Sequence, residues 1–240
     1  MGKAERALNH QILAHGKVLM KKILAEFLGT MVLVSAVVGS GIMAQNLTRD
    51  VGLQLLINAF STIAALWLLI LLFSPVSGAH FNPVVTLSEI FFKRISWSQS
   101  LAYVGAQLLG GFGGTIMANV MFKHPAIFPS HHIRSGVGLF LGEILATAGL
   151  LFLIHMLGFQ GKSHITPVAV ALWIGSAYFF TSSTSFANPA VTFARAFSNT
   201  FSGISISSVP GFVLAQIVGA TIGTIAALYF EKTSTGEING

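Results

Sequence analysis

Six long apolar runs dominate the chain: Ile23–Ala44, Val51–Phe73, Trp97–Phe122, Gly136–Gly158, Ile165–Phe180 and Val209–Phe230. A helix needs roughly 20 apolar residues to cross about 30 Å of hydrocarbon. Five runs meet that length; the fifth is short but leads into an apolar, Ser/Thr-rich continuation. Only two acidic residues, Glu26 and Glu143, lie within the runs. With 8% charged residues, against about 25% in soluble domains, the chain cannot clothe a water-facing surface. A soluble enzyme is thereby excluded. The absence of cysteine removes disulfide scaffolds and thiolate chemistry. The formal charge of +6 is spread between apolar runs rather than gathered in one patch. That placement suits membrane topology and argues against nucleic acid as a partner. The first run is too long for a signal-peptide core, contains Glu26 and lacks a convincing cleavage site.

An even number of spans puts both termini on one side. Lys3, Arg6, Lys17, Lys21, Lys22, Lys93, Arg94, Lys162 and Lys232 fall on that side, against Arg49, Lys123, Arg134 and Arg195 on the other. The positive-inside rule makes the terminal side cytoplasmic, in a bacterial-type inner membrane. The chain divides into a polar tail or surface helix (1–16), two halves of three spans each (17–122 and 136–231), an outer connecting loop (123–135) and a terminal tail (232–240).

The halves repeat one another. Ala25-Glu26-Phe27-Leu28-Gly29-Thr30 resembles Gly142-Glu143-Ile144-Leu145-Ala146-Thr147. Asn82-Pro83-Val84-Val85-Thr86 resembles Asn188-Pro189-Ala190-Val191-Thr192, and Ala106-Gln107-Leu108-Leu109-Gly110 resembles Ala215-Gln216-Ile217-Val218-Gly219. Three spans per copy is an odd number, so the second copy enters the membrane from the opposite side. Inverted repeats place solute sites near the midplane, at broken helices.

Asn is a strong N-cap and Pro is favoured at the first helical position. Asn82-Pro83 and Asn188-Pro189 therefore predict two short helices, Val84–Phe92 and Ala190–Phe197. At 1.5 Å per residue each spans about 15 Å, half a bilayer. Their N-termini meet at the centre. The segments before them, Ser77–Phe81 and Ser182–Ala187, read as extended loops, and non-helical backbone at this depth must be buried in protein or line a wet cavity. Such a cavity offers a neutral hydroxylated solute a ladder of carbonyl acceptors and two Asn amides. Each half-helix N-terminus carries roughly half a positive charge. A cation about 5 Å from the pair at an effective dielectric near 20 is disfavoured by on the order of 3 kcal/mol.

The segment Ser77-Gly78-Ala79-His80-Phe81-Asn82-Pro83-Val84-Val85-Thr86-Leu87, the second Asn188-Pro189-Ala190 and the Ala-Glu-Phe-Leu-Gly-Thr opening resemble the aquaporin/glycerol-facilitator (major intrinsic protein) family. The resemblance covers about residues 20–231 and departs at Val84, where Ala is usual. It implies six transmembrane helices plus two re-entrant half-helices, an inverted 3+3 repeat in a right-handed bundle, a pore in each subunit and a homotetramer. No cofactor or metal is implied. The pore centre would be Asn82, Pro83, Val84, Asn188, Pro189 and Ala190.

The family also has an outer aromatic/arginine constriction, whose Arg directly follows the second Asn-Pro-Ala. Val191 stands there. The family's offsets from the two Asn residues give Thr62, Ser176 and Ser185 as its other members. A one-residue loop difference substitutes Gly175 and Thr184, and a two-residue shift brings in Phe60. A Thr/Ser/Ser/Val constriction is wide and uncharged, and admits glycerol and As(OH)3 as well as water. The Val replacement resembles a bacterial subgroup associated with arsenical permeation. The alternatives are a strict water channel and a proton-coupled transporter.

Glu26 and Glu143 are intramembrane carboxylates and functional candidates by default. They would serve either as proton-coupling groups or as acceptors holding the re-entrant loops, with His80 in a similar scaffolding role. Arg195, one turn beyond Val191 on the same face, either lines the outer mouth or snorkels to the interface. His131 and His132, in the outer loop, would either gate or bind metalloids or metals, or form a plain surface pair, since no partner ligands cluster with them. Gly110/Gly114, Gly138/Gly142 and Gly219/Gly223 permit close helix crossings, and Trp97, Tyr103 and Tyr229 are expected interfacial anchors.

Overall fold

The computed structural model describes the backbone of residues 3–236 and the side chains of residues 16–231. The ends of both expected tails, residues 1–2 and 237–240, lie outside the described residues. Eight α-helices are present among them: α1 (Lys3–Leu47), α2 (Val51–Ser77), α3 (Pro83–Phe91), α4 (Trp97–Met121), α5 (Val137–Phe159), α6 (Thr166–Phe180), α7 (Pro189–Arg195) and α8 (Val209–Gly236). Six segments are long and apolar enough to span a membrane, the fifth being α6 together with the 3-10 turn Ser163–Ile165 that leads into it, and α3 and α7, of nine and seven residues, are not. The first and last helices run past their apolar cores, so residues 3–16 continue α1 rather than forming a separate surface helix. Among the described residues there is no strand, only one isolated bridge between Phe128 and Ser198.

The pairing of helices repeats in two halves. α1 packs on α2 and α4 as α5 packs on α6 and α8, and α3 and α7 cross over to α8 and α4 of the other half. The closest crossings are set by glycine. A Cβ on Gly110 or Gly114 would drive into the carbonyls of Phe27 or Met31, and one on Gly219 or Gly223 into those of Ile144 or Ala148. Small residues at matched points thus let α4 touch the α1 backbone and α8 touch that of α5. Large apolar side chains such as Leu68, Leu72, Leu101, Val137, Leu172 and Leu214 point outward, as a lipid-facing surface requires. Trp97 and Tyr229 are exposed, whereas Tyr103 is not an anchor. It is buried in α4 and its hydroxyl donates to the Ser77 carbonyl at 3.0 Å.

α2 passes Pro75, which lacks the N–H for one helical bond, and stops two residues later at a left-handed Gly78 cap. From there the chain turns inward to Asn82, and α3 returns it to the same side. The link from α6 to α7 does the same from the opposite face.

The candidate pore

The two half-helices meet tip to tip. Asn82 caps α3 by accepting from the Val84 amide at 3.1 Å, and Asn188 caps α7 by accepting from those of Ala190 and Val191 at 2.9 and 3.2 Å. Each Asn Nδ2 then donates across the junction, Asn82 to the Ala187 carbonyl and Asn188 to the Phe81 carbonyl, both at 2.8 Å. One amide proton of each Asn is spent on this reciprocal tie. The other is free to meet a solute.

The loops leading to these tips are backbone twins. Gly78, Ala79 and Phe81 have φ of 93°, 52° and 49°, and Thr184, Ser185 and Ala187, each 106 residues later, have 62°, 49° and 48°. Five of these six are not glycine, and an L-residue in the left-handed region costs roughly 1 kcal/mol or more. Two buried carboxylates hold them there. Glu26 accepts from the His80 and Phe81 amides at 3.0 and 2.7 Å, from Ser77 Oγ at 2.6 Å and from Gln107 Nε2 at 2.8 Å. Glu143 accepts from the Phe186 and Ala187 amides at 2.8 and 2.9 Å and from Gln216 Nε2 at 2.6 Å. Each Gln also donates to the half-helix beyond, Gln107 to Thr86 and Gln216 to Thr192. His80 completes the first set, its Nδ1 lying 3.1 Å from Thr86 Oγ1. Both Gln residues stood in the repeated Ala-Gln-x-x-Gly blocks. Their roles were missed because a repeat marks position, not partner.

A cavity of about 300 Å³ runs past the tips, from Glu89, Arg94, Ser163 and Thr166 at the terminal-side mouth, through His80, Asn82 and Asn188, to Tyr178, Val191 and Arg195 at the other. Pro83, Val84 and Ala190 are buried behind the Asn residues and Pro189 is half-buried; none of the four lines the cavity. Val85 and Val191, inverted mates, face into it. Neither Glu26 nor Glu143 reaches it.

Thr62, Ser185 and Val191 line the cavity, and Ser176 does not. Ser176 is exposed on the outside of α6. The face of α6 that lines the cavity is Val170, Ile174 and Tyr178, four residues apart, and a residue two positions from Tyr178 points about 200° away. Tyr178, which fixed offsets from Asn188 overlooked, places its hydroxyl 3.1 Å from Thr62 Oγ1. The alternative members also lie elsewhere. Phe60 is exposed, Gly175 packs against Ile63, and Thr184 sits half-buried behind the loop. An aromatic, Tyr178, and a cation, Arg195, thus line the same cavity as Thr62, Ser185 and Val191.

That cation is Arg195. It does not snorkel. It is 2% exposed, donates Nε to the Ser202 carbonyl, and lays its Cζ 3.4 Å from the centre of the Phe186 ring. Arg134 reaches the same place from the connecting loop, donating to the carbonyls of Gly203 at 3.0 Å and Phe201 at 3.5 Å, with its Cζ 5.2 Å from the Phe186 ring centre. Burial pushes Arg134 down to about 10, against the pull of Glu143 and Tyr178. Burial also holds His132 below the ordinary imidazole range, with Arg134 and Arg195 adding to the shift. His131 and His132 are tied through backbone atoms to Asn199, Ser130 and Ser205, and neither lines the cavity.

Two half-helices joined at their Asn caps beside a through-running cavity match the features that first suggested the family. The model of the family described as major intrinsic protein matches residues 14–187, well over half of the chain. The chain belongs to the major intrinsic protein family. The aquaglyceroporin AqpS of Rhizobium meliloti is 46% identical over 202 residues, covering 84% of this chain and 86% of that protein. A probable TIP-type alpha aquaporin of Phaseolus vulgaris is 30% identical over 169 residues, 65% of each chain. In fold, the chain is similar to the X-ray structure of the aquaglyceroporin from Plasmodium falciparum, with a TM-score of 0.66 at 21% identity, covering 89% of this chain and 96% of that one. This major intrinsic protein is thus an integral, multi-pass membrane channel.

Proposed function

We propose that the channel is passive and conducts small neutral solutes: water, glycerol and metalloid hydroxides such as arsenite. The observation that carries this reading is the central junction, where two Asn caps sit beside a through-running cavity whose 191 position holds Val rather than Arg. The similarity to proteins named aquaglyceroporins supports the glycerol class. The channel would sit in a bacterial-type inner membrane as a homotetramer, with both termini cytoplasmic.

A strict water channel is the second reading, favoured by Tyr178 and Arg195, which add bulk and a fixed donor to the cavity. Proton coupling through Glu26 or Glu143 has little support. Both carboxylates are filled by loop amides and Gln donors and lie off the solute path.

Stopped-flow measurements on proteoliposomes test the proposal. Water, glycerol and arsenite fluxes should rise linearly with gradient and ignore an imposed pH gradient. Uphill accumulation driven by protons would overturn the passive reading, and water flux without glycerol or arsenite flux would select the strict water channel.

A further inference from the structure

Arg195 is a buried cation without a carboxylate partner. The ion pair present among the described residues joins Arg94 to Glu89 at the other mouth. Arg195 sits 106 residues after Glu89, so the two are inverted mates, and both line the cavity. A guanidinium inside a membrane protein is tolerated only where water, carbonyls or an aromatic face replace bulk solvent. Arg195 has a ring on its flat face and one carbonyl on Nε. Among the described residues, its two Nη groups have no protein hydrogen-bond partner. The fork that usually grips an anion is left facing the cavity.

Tyr178 borders the same part of the cavity. Its hydroxyl meets Thr62 Oγ1, which is itself fixed by donating to the Asn58 carbonyl at 2.8 Å. With Thr62's proton spent on Asn58, the Tyr178 proton can turn to Thr62 and leave phenol lone pairs for a solute. Val191 and Phe186 supply the apolar remainder.

Resting on the channel reading above, we infer that Tyr178 and Arg195 form a displaced constriction that sets selectivity in place of position 191. Arg195 excludes cations and donates to solute oxygens. Tyr178, braced by Thr62, accepts from solute hydroxyls. The matching solute is a small neutral molecule bearing at least two hydroxyl groups, so that one accepts from Arg195 while another donates to Tyr178. Arg134 is a positioning residue. It grips the carbonyls of Phe201 and Gly203 on either side of Ser202, whose own carbonyl holds Arg195.

The test uses the full chain in proteoliposomes, with water and glycerol permeabilities and sodium leak measured on each variant. Tyr178→Phe should lower the glycerol-to-water ratio about fivefold, the worth of one net hydrogen bond, without sodium leak. Arg195→Met should raise sodium leak at least about tenfold, because a like charge at close range in a low-dielectric pore suppresses cation occupancy strongly. Arg195→Lys keeps the charge and should restore sodium exclusion while leaving the glycerol ratio low. Arg134→Met should move both readouts in the direction of Arg195→Met, by less. Wild-type ratios and leak in Tyr178→Phe and Arg195→Met would overturn the inference, as would a common fall in all fluxes with the ratios unchanged, which is the signature of a packing role alone. Wild-type protein that passes neither water nor glycerol would instead overturn the channel reading on which the inference stands.

Discussion

The two half-helices are alike up to their Asn caps and unlike beyond them. On the approach, left-handed backbone recurs at positions 78, 79 and 81 and again at 184, 185 and 187, and each loop hangs from one carboxylate and one Gln. Toward the mouths the mates diverge, and Glu89 corresponds to Arg195. Glu89 is neutralised by Arg94 at a mouth where the Arg94 side chain is 45% exposed, whereas Arg195 is enclosed and unpaired. The repeated part is scaffold, because any pore of this design must hold two strained loops at the midplane. The divergent part is where the two mouths acquire different chemistry.

The largest expected effect comes from breaking the shared part. Glu26→Ala and Glu143→Ala each leave two backbone amides and one of the two protons of a Gln amide buried without an acceptor, at roughly 1–3 kcal/mol per group. Both variants should lose folded channel almost completely, and to a similar degree, in thermal melts and flux assays. Tolerance of one and collapse of the other would mean that the halves are not equivalent. A smaller effect is expected at the divergent end. Val191→Arg should narrow the cavity and cut glycerol and arsenite flux several-fold more than water flux. Equal loss of all three would count against a selective role for this stretch.

Smaller still is the effect of Glu89→Gln. It breaks an ion pair whose Arg side chain is 45% exposed, and solvent-exposed pairs are worth about 1 kcal/mol at most. Melting temperature and flux should barely move, in contrast to Arg195→Met; a collapse on Glu89→Gln would erase the distinction between the mouths. The smallest change is expected from pH. Burial and the two neighbouring arginines lower His132 below the ordinary imidazole range, so its protonation, and the extra positive charge it would bring, is displaced to lower pH. Flux should therefore show no step near 6.5, where an unperturbed imidazole titrates. A steep step near 6.5 would show that His132 or another imidazole controls the mouth.

Much of this was legible in the sequence. Apolar run length located all six spans. The Asn-Pro pairs gave both caps and the meeting of the tips, because capping is local chemistry that depends on a few adjacent residues. Matched Glu26 and Glu143 pointed to loop support. The outer constriction was less legible. Which face of α6 turns inward depends on how the 181–188 link is folded, and fixed offsets from Asn188 selected Ser176 on the lipid side instead of Tyr178. The role of Arg134 was hidden for a similar reason, since it acts through carbonyls nearly 70 residues away. Tyr103 looked like an anchor by residue type, but α4 turns it inward to the Ser77 carbonyl.

Because the chain contains no cysteine, a single introduced thiol reports directly on whether solute passes these tips. Val191→Cys and Ser176→Cys proteoliposomes, treated with a water-soluble thiol reagent, give the comparison. The account predicts that modification of Val191→Cys stops water and glycerol flux together while Ser176→Cys continues to conduct. Block through residue 176 with free passage in the modified residue 191 variant would contradict it.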